Sequence, residues 1–372
     1  MDTLNFSELA TLVACNSYSK NKAGVDKHGE LMIELLQPLG MSLTRYQRDH
    51  IGDHLLFRSP RNEGRKILLL GHLDTVFPPD TFTDFRMDEE WVYGPGVCDM
   101  KGGNFVALQA LRQLKSQFGQ IYNIDFFLVS DEEIGSDDSK HLTAHIAKNY
   151  DACFVFEAAG KNHEVVIGRK GIATFEINIE GKAAHAGNHY SDGIDANYAA
   201  ANLLIELSNL TELSKGSTVN VGKMQGGIGA NTISPKASLI VEARFTSDIE
   251  QSRLLQSIED ICMALEITGV KITLSGGLQR PTMEPSKAQS ALLQELNSIL
   301  EEPLLTEKRG GVSDANIVAG AGVATLDGFG PYGDGDHTIH ERALKSSFTK
   351  RIAQMTQILT ALCFQDEVQP TA

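Results

Sequence analysis

The chain has 372 residues, enough for about two domains at roughly 150 residues each, and its 42% hydrophobic content can fill an ample core. A formal net charge of -15 argues against nucleic acid as a partner, since phosphate binding needs clustered Lys and Arg, and it means that any anionic substrate must be met by locally placed cations. No apolar run approaches the ~18 residues of a membrane span, residues 1–8 lack a basic segment followed by an apolar core, and the five cysteines fall at no paired spacing, so the expectation is a cytoplasmic protein with reduced thiols and no membrane partner.

Along the chain, the first informative element is the apolar run 67–70, a candidate buried strand, which is followed by Gly71-His72-Leu73-Asp74-Thr75. Residues one and three past a strand tend to point the same way, so Asp74 can accept the second N–H of the His72 imidazole and fix the tautomer a metal ligand needs. Alone, His-x-Asp also describes an ordinary strand exit. Asp99 lies in the turn-rich segment 94–103, ahead of an amphipathic run in which Phe105, Leu108, Leu111 and Phe118 share a helical stripe. Asp131-Glu132-Glu133 directly follows a second strand candidate, 124–130, and Glu157 closes a third at 153–156. In an open α/β sheet, ligands collect beyond the carboxyl ends of the strands, and the repetition of apolar strand followed by His or acid places these groups on one such edge. Cys98, beside Asp99, reads as a buried bystander.

From about 168 to 279 the pattern changes to strands that bury one face only: Phe175, Ile177 and Ile179 alternate with Glu176, Asn178 and Glu180, and Leu239, Val241, Ala243 and Phe245 alternate with Ile240, Glu242 and Arg244. Helical runs near 194–210 and 250–265, with strands near 217–223 and 270–274, complete a β-α-β-β-α-β order, a ferredoxin-like unit able to fold as an insert. The helical pattern resumes at 286–300, and the loop 334–341 supplies His337 and His340. The expected organisation is therefore a catalytic domain of 1–167 and 280–372, interrupted by a lid or dimerisation domain of 168–279. The tail from Gln365 reads as frayed.

These residues resemble the M20-type co-catalytic zinc metallopeptidases and aminoacylases, a family that includes glutamate carboxypeptidase, acetylornithine deacetylase and succinyl-diaminopimelate desuccinylase. The resemblance spans nearly the whole chain, through G-H-L-D-T-V at Gly71, G-P-G-V-C-D-M-K-G-G at Gly94, S-D-E-E-I-G-S at Ser130, Glu157, G-K-A-A-H-A-G at Gly181 and H-T-I-H-E at His337. It implies a zinc-peptidase-like mixed sheet flanked by helices, with the ferredoxin-like α+β insert as lid or dimerisation domain. It also implies two Zn²⁺ per subunit, with Co²⁺ or Mn²⁺ as substitutes. Asp99 would bridge the ions, His72 and Glu157 would complete one site, and Glu133 and His337 the other; His337 fits better than His340 because Glu341 follows it by four positions. Glu132 would be the general base and Asp74 the orienter of His72. The peptide bond between Asp99 and Met100 is typically cis in such proteins.

The chemistry offers its own reasons for that set. Two divalent ions ~3.5–4 Å apart share a carboxylate and a water, lower the water's pKa toward ~7 and polarise a scissile carbonyl. Mixed imidazole and carboxylate ligands favour zinc over magnesium. Acids at alternating positions, which a calcium-binding EF-hand requires, do not recur between Asp131 and Ser139.

On the substrate side, His185 in Ala184-His185-Ala186-Gly187 matches the family's oxyanion-stabilising histidine, often supplied by the partner subunit of a dimer; the other reading is a turn histidine satisfied by backbone. Asn231 and Arg244 resemble residues that hold a substrate carboxylate, a task suited to a bidentate Arg, although Arg244 reads equally well as a polar-face strand residue. Arg309, before Gly310-Gly311-Val312-Ser313-Asp314, resembles part of a further substrate loop. The combined expectation is a cytoplasmic, homodimeric di-zinc hydrolase that cleaves a small peptide or N-acyl amino acid at an amide bond beside a free carboxylate, closest to the glutamate carboxypeptidase branch. An N-acyl-amino-acid deacylase is the alternative, and a non-catalytic metal-binding protein the remote one.

Overall fold

The computed structural model describes residues 4–265 and 267–364. The expectation for the tail from Gln365 lies outside the described residues. The chain packs as two compact units: Met1–Gly168, Pro285–Arg309 and Ser313–Ala372 form one, and Arg169–Glu284 with Gly310–Val312 the other.

In the first unit a six-stranded sheet runs in the order Ser42–Tyr46, His54–Arg58, Ile124–Val129, Ile67–His72, Ala152–Val155, Ala324–Leu326. The last four are mutually parallel and the first two form an antiparallel edge, so the sheet is mixed. Every residue of Ile67–His72 and Ile124–Val129 is buried, which is why those strands read as continuous apolar runs. The helix Lys101–Phe118 packs on Ile67–His72, and Phe105, Leu108 and Leu111 are buried on it as the stripe requires.

Register decides where the polar groups emerge. His72 lies opposite Val129, and Leu70 lies opposite Val155, so the residues that follow each strand leave the sheet at a common edge. A smaller sheet, Gly333–Asp334, Arg342–Leu344, Trp91–Tyr93, Arg86–Met87, pairs Arg342 with Tyr93 and Ala343 with Val92. That pairing draws the loop after Tyr93, with Asp99, toward the loop 335–341, with His337.

The second unit is a four-stranded antiparallel sheet in the order Thr218–Gly226, Lys236–Phe245, Gly171–Glu180, Lys271–Arg280, with the helices Ala196–Ser208 and Asp248–Ala264 packed on it. This is the ferredoxin-like order. Phe175, Ile177 and Ile179 are buried while Thr174, Glu176, Asn178 and Glu180 are exposed, as one-sided burial demands. The last strand extends past the expected 274 to Arg280, and the main segment of this unit runs on to Glu284. Reciprocal backbone bonds between Arg169 and Met283, at 3.0 and 3.1 Å, hold those extra residues to the start of the insert. Among the described residues, no helix is long and apolar enough to cross a membrane.

Candidate metal centre

His72 is the last residue of its strand and is 1% exposed. Its Nδ1 lies 2.9 Å from the main-chain oxygen of Asp74 and 3.5 Å from that residue's carboxylate, while Nε2 lies 3.1 Å from Asp99 Oδ1 and 3.7 Å from Glu157 Oε1. A carbonyl can only accept, so Nδ1 carries the proton and Nε2 is left facing the two acids. The nearer acceptor is the Asp74 carbonyl, whereas the sequence points to its carboxylate. That carboxylate takes the Ser19 hydroxyl at 2.7 Å and the main-chain N–H groups of Glu132 and Glu133 at 3.3 and 3.2 Å. Asp74 thus links the His72 turn to the Glu132–Ile134 turn.

Asp99 presents its second oxygen, Oδ2, 3.2 Å from His337 Nε2, and His337 Nε2 lies 3.1 Å from Glu133 Oε2. Two donor groups result, His72 with Asp99 and Glu157, and Asp99 with Glu133 and His337, each with its ligand atoms within 4.8 Å of one another. The bond from Asp99 to Met100 is cis, as the resemblance implies. Glu132 precedes Glu133 on the short turn Glu132–Ile134, is 9% exposed, and its charge acts on both Glu133 and Glu157.

Burial and then the neighbouring Asp99 push the Glu133 carboxyl up to about 8, and the same causes in the same order raise Glu157. Hydrogen bonds to Asp99 and then Glu133 raise His337 to about 11. Asp99 is held below the usual carboxylate range; burial opposes this, and the bonds from His337 and His72 outweigh it. Burial and the neighbouring Asp99 charge disfavour Glu133 and Glu157 as free anions, and a divalent cation in each group would relieve that repulsion. The residues present fit a pair of such ions.

Close packing fixes these positions. A Cβ on Gly103 would meet the Phe156 carbonyl oxygen at 1.9 Å, so only glycine lets the start of helix Lys101–Phe118 lie against the strand exit that carries Glu157. Asn104 Nδ2 donates to the His72 carbonyl at 2.7 Å. Glu341 accepts the main-chain N–H groups of Gly96, Cys98 and Asp99 at 2.9, 2.9 and 3.0 Å, anchoring the Asp99 loop. Ser19 and Asn104 carry no local signal in the sequence; Glu341 has one, its spacing from His337.

The other sequence candidates divide between the two units, His185, Asn231 and Arg244 in the inserted one and Arg309 in the first. On the inserted unit, His185 pairs with Thr232 as an isolated bridge, and the N–H of Ala186 donates to the Asn231 carbonyl at 2.9 Å, so His185 and Asn231 are neighbours. The N–H groups of Gly187 and Asn188 donate to His185 Nδ1, both at 3.1 Å. This satisfies one nitrogen by backbone and leaves the proton on exposed Nε2. Arg244, on strand Lys236–Phe245, donates to Glu242 at 2.6 Å and to the Gly310 carbonyl at 3.0 Å. Arg309, in the first unit, donates to Glu307 at 2.6 Å and to the Ala158 carbonyl at 2.9 Å, beside Glu157.

The profile of peptidase family M20/M25/M40 matches residues 68–361. Carboxypeptidase G2 of Pseudomonas sp. (strain RS-16) is 28% identical over 342 residues, covering 89% of this chain and 82% of that protein. Succinyl-diaminopimelate desuccinylase of Alkalilimnicola ehrlichii is 24% identical over 359 residues, 90% of this chain and 92% of that protein. Among solved structures, a tripeptidase from Staphylococcus aureus superposes with a TM-score of 0.81 at 22% identity, covering 96% of this chain and 97% of that one.

Proposed function

Because the chain belongs to peptidase family M20/M25/M40, metal-dependent hydrolases of peptide and amide bonds, we propose that it is a di-zinc enzyme cleaving an amide bond beside a free carboxylate. The observation that carries this reading is the Asp99 carboxylate, whose two oxygens each face a different imidazole, that of His72 and that of His337.

His72, Asp99 and Glu157 would hold one ion, and Asp99, Glu133 and His337 the other. When bound, such a pair supplies a water of lowered pKa and polarises the substrate carbonyl. Glu132 would take a proton from the attacking water and return it to the leaving nitrogen, a role supported by its burial beside Glu133 on the turn Glu132–Ile134. Asp74 holds His72 by its carbonyl and the Glu132–Ile134 turn by its carboxylate. His185, protonated on Nε2, is a donor suited to the developing oxyanion. Arg244, Asn231 and Arg309 are assigned to the substrate's carboxylate and its surroundings. Glu242 and Glu307 hold the two guanidiniums in place, and each arginine also anchors a main-chain carbonyl.

A small peptide is the substrate favoured by the likeness to carboxypeptidase G2, and the deacylase reading is favoured by the likeness to the desuccinylase over 90% of this chain. The two share every step above and differ in the acyl group. Cys15, Cys98, Cys153, Cys262 and Cys363 are all free, which supports a reducing, cytoplasmic setting. The insert's sheet ends in the strands Thr218–Gly226 and Lys271–Arg280, neither paired on its outer side among the described residues, and such edges support a homodimer. Metal analysis combined with hydrolysis of a panel of peptides and N-acyl amino acids tests the proposal. Zinc in both sites with turnover of at least one carboxylate-bearing substrate is expected; metal-loaded protein with no turnover of any would favour the non-catalytic reading.

A further inference from the structure

We infer that His54 is a positioning residue for the segment that carries Glu132 and Glu133, acting chiefly through the main-chain N–H of Ser130 that its imidazole accepts at the start of that segment. The inference rests on the roles proposed above for those two glutamates. His54 opens the strand His54–Arg58, which pairs antiparallel with Ile124–Val129, and its neighbour Leu55 lies opposite Leu128. That register sets His54 beside the point where the chain leaves the sheet toward Glu132.

The side chain is fully buried. Its Nδ1 accepts the main-chain N–H of Ser130 at 3.1 Å, so the ring proton belongs on Nε2, which lies 3.0 Å from Asp138 Oδ1. Asp138 also accepts from Arg48 Nε. The far end of the segment is closed on itself, because the N–H groups of Asp138 and Ser139 donate to Asp131 Oδ2 at 2.9 and 3.1 Å. One imidazole therefore joins the start of 130–138 to its end, with Glu132 and Glu133 between. The Ser130 hydroxyl adds a bond to the Asp53 carbonyl at 2.6 Å, from the residue before His54. Both partners of the His54 ring lie outside the proposed ligand set, so its influence on the site passes through the backbone it holds.

The two arms can be separated chemically. An Asn amide oxygen reaches roughly where Nδ1 stands and can still accept from Ser130, whereas a Gln amide nitrogen reaches toward Nε2 and can still donate to Asp138. The Ser130 arm lies closer along the chain to Glu132, so it is the one expected to matter. His54→Leu should lower kcat about 10–100-fold, the range seen when groups that orient metal ligands are removed, with little change in KM. His54→Asn should recover most of that loss and His54→Gln little of it. Amide hydrogen exchange of residues 130–135, measured in metal-free protein, should be faster in the Leu and Gln variants and near wild type in the Asn variant. A Gln variant equal to or better than the Asn variant in both kcat and amide protection would overturn the inference, as would an unaltered Leu variant. If the Leu variant does not fold, the Asn and Gln pair decides alone. Failure of the enzyme reading would appear as wild-type protein without turnover, and the exchange measurement would still decide the part played by His54.

Discussion

Asp74 shows how much of this site depends on groups that would touch no metal. Its carbonyl fixes the His72 tautomer, and its carboxylate collects the Ser19 hydroxyl and the N–H groups of Glu132 and Glu133. Removing the side chain leaves the carbonyl, so His72 keeps its proton acceptor while the Glu132–Ile134 turn loses its anchor. Asp74→Ala should therefore weaken metal binding and lower kcat about 10–100-fold, without abolishing either. Metal titration and steady-state kinetics check this, and unchanged values would leave the Asp74 carboxylate with no part in the site. His72, Asp99, Glu133, Glu157 and His337 were legible because each follows a strand candidate or sits in a glycine-rich motif. Ser19 and His54 were not, because the contacts that give them meaning join residues 55 and 76 or more positions apart in the chain.

At the scale of elements, the buried parallel strands and the insert announced themselves through periodicity, continuous where both faces are covered and alternating where one is. The amino-terminal helices Ser7–Ala14 and Lys22–Leu36, the antiparallel edge strands and the final helix Lys345–Cys363 did not stand out in the sequence. Lys22–Leu36 mixes Gly24 and Gly29 into its pattern, and the strand Ser42–Tyr46 has no fully buried residue, so neither gives a clean apolar face. The helix Lys101–Phe118 was legible by its stripe, yet its tight approach to the sheet was not. Gly103→Ala would drive a Cβ into the Phe156 carbonyl, 1.9 Å away, so the helix or the strand exit must move. Destabilisation of about 1–3 kcal/mol is expected, together with weaker metal binding at the group that contains Glu157. Thermal unfolding and metal affinity measure both effects, and a variant matching wild type in each would show that the helix terminus tolerates the methyl.

For the whole molecule, the ferredoxin-like insert is where a second subunit would act. His185 carries its proton on an exposed Nε2, the arrangement needed by a residue that donates to a substrate held elsewhere. If it acts across a homodimer, mixing inactive His185→Ala with inactive Glu132→Ala should restore part of the activity, because hybrid dimers contain one intact combination. Hybrids demonstrated by mass, with no recovered turnover, would confine His185 to its own chain or to a structural part.

In the proposed mechanism two adjacent glutamates on one turn divide the work, Glu133 holding metal and Glu132 moving the proton. Metal content per chain in purified Glu132→Ala and Glu133→Ala tests it most directly. The expected result is wild-type metal content in Glu132→Ala, with kcat lower by about 10²–10⁴-fold, and a lost ion in Glu133→Ala. Equal metal loss in the two variants would contradict the division of roles.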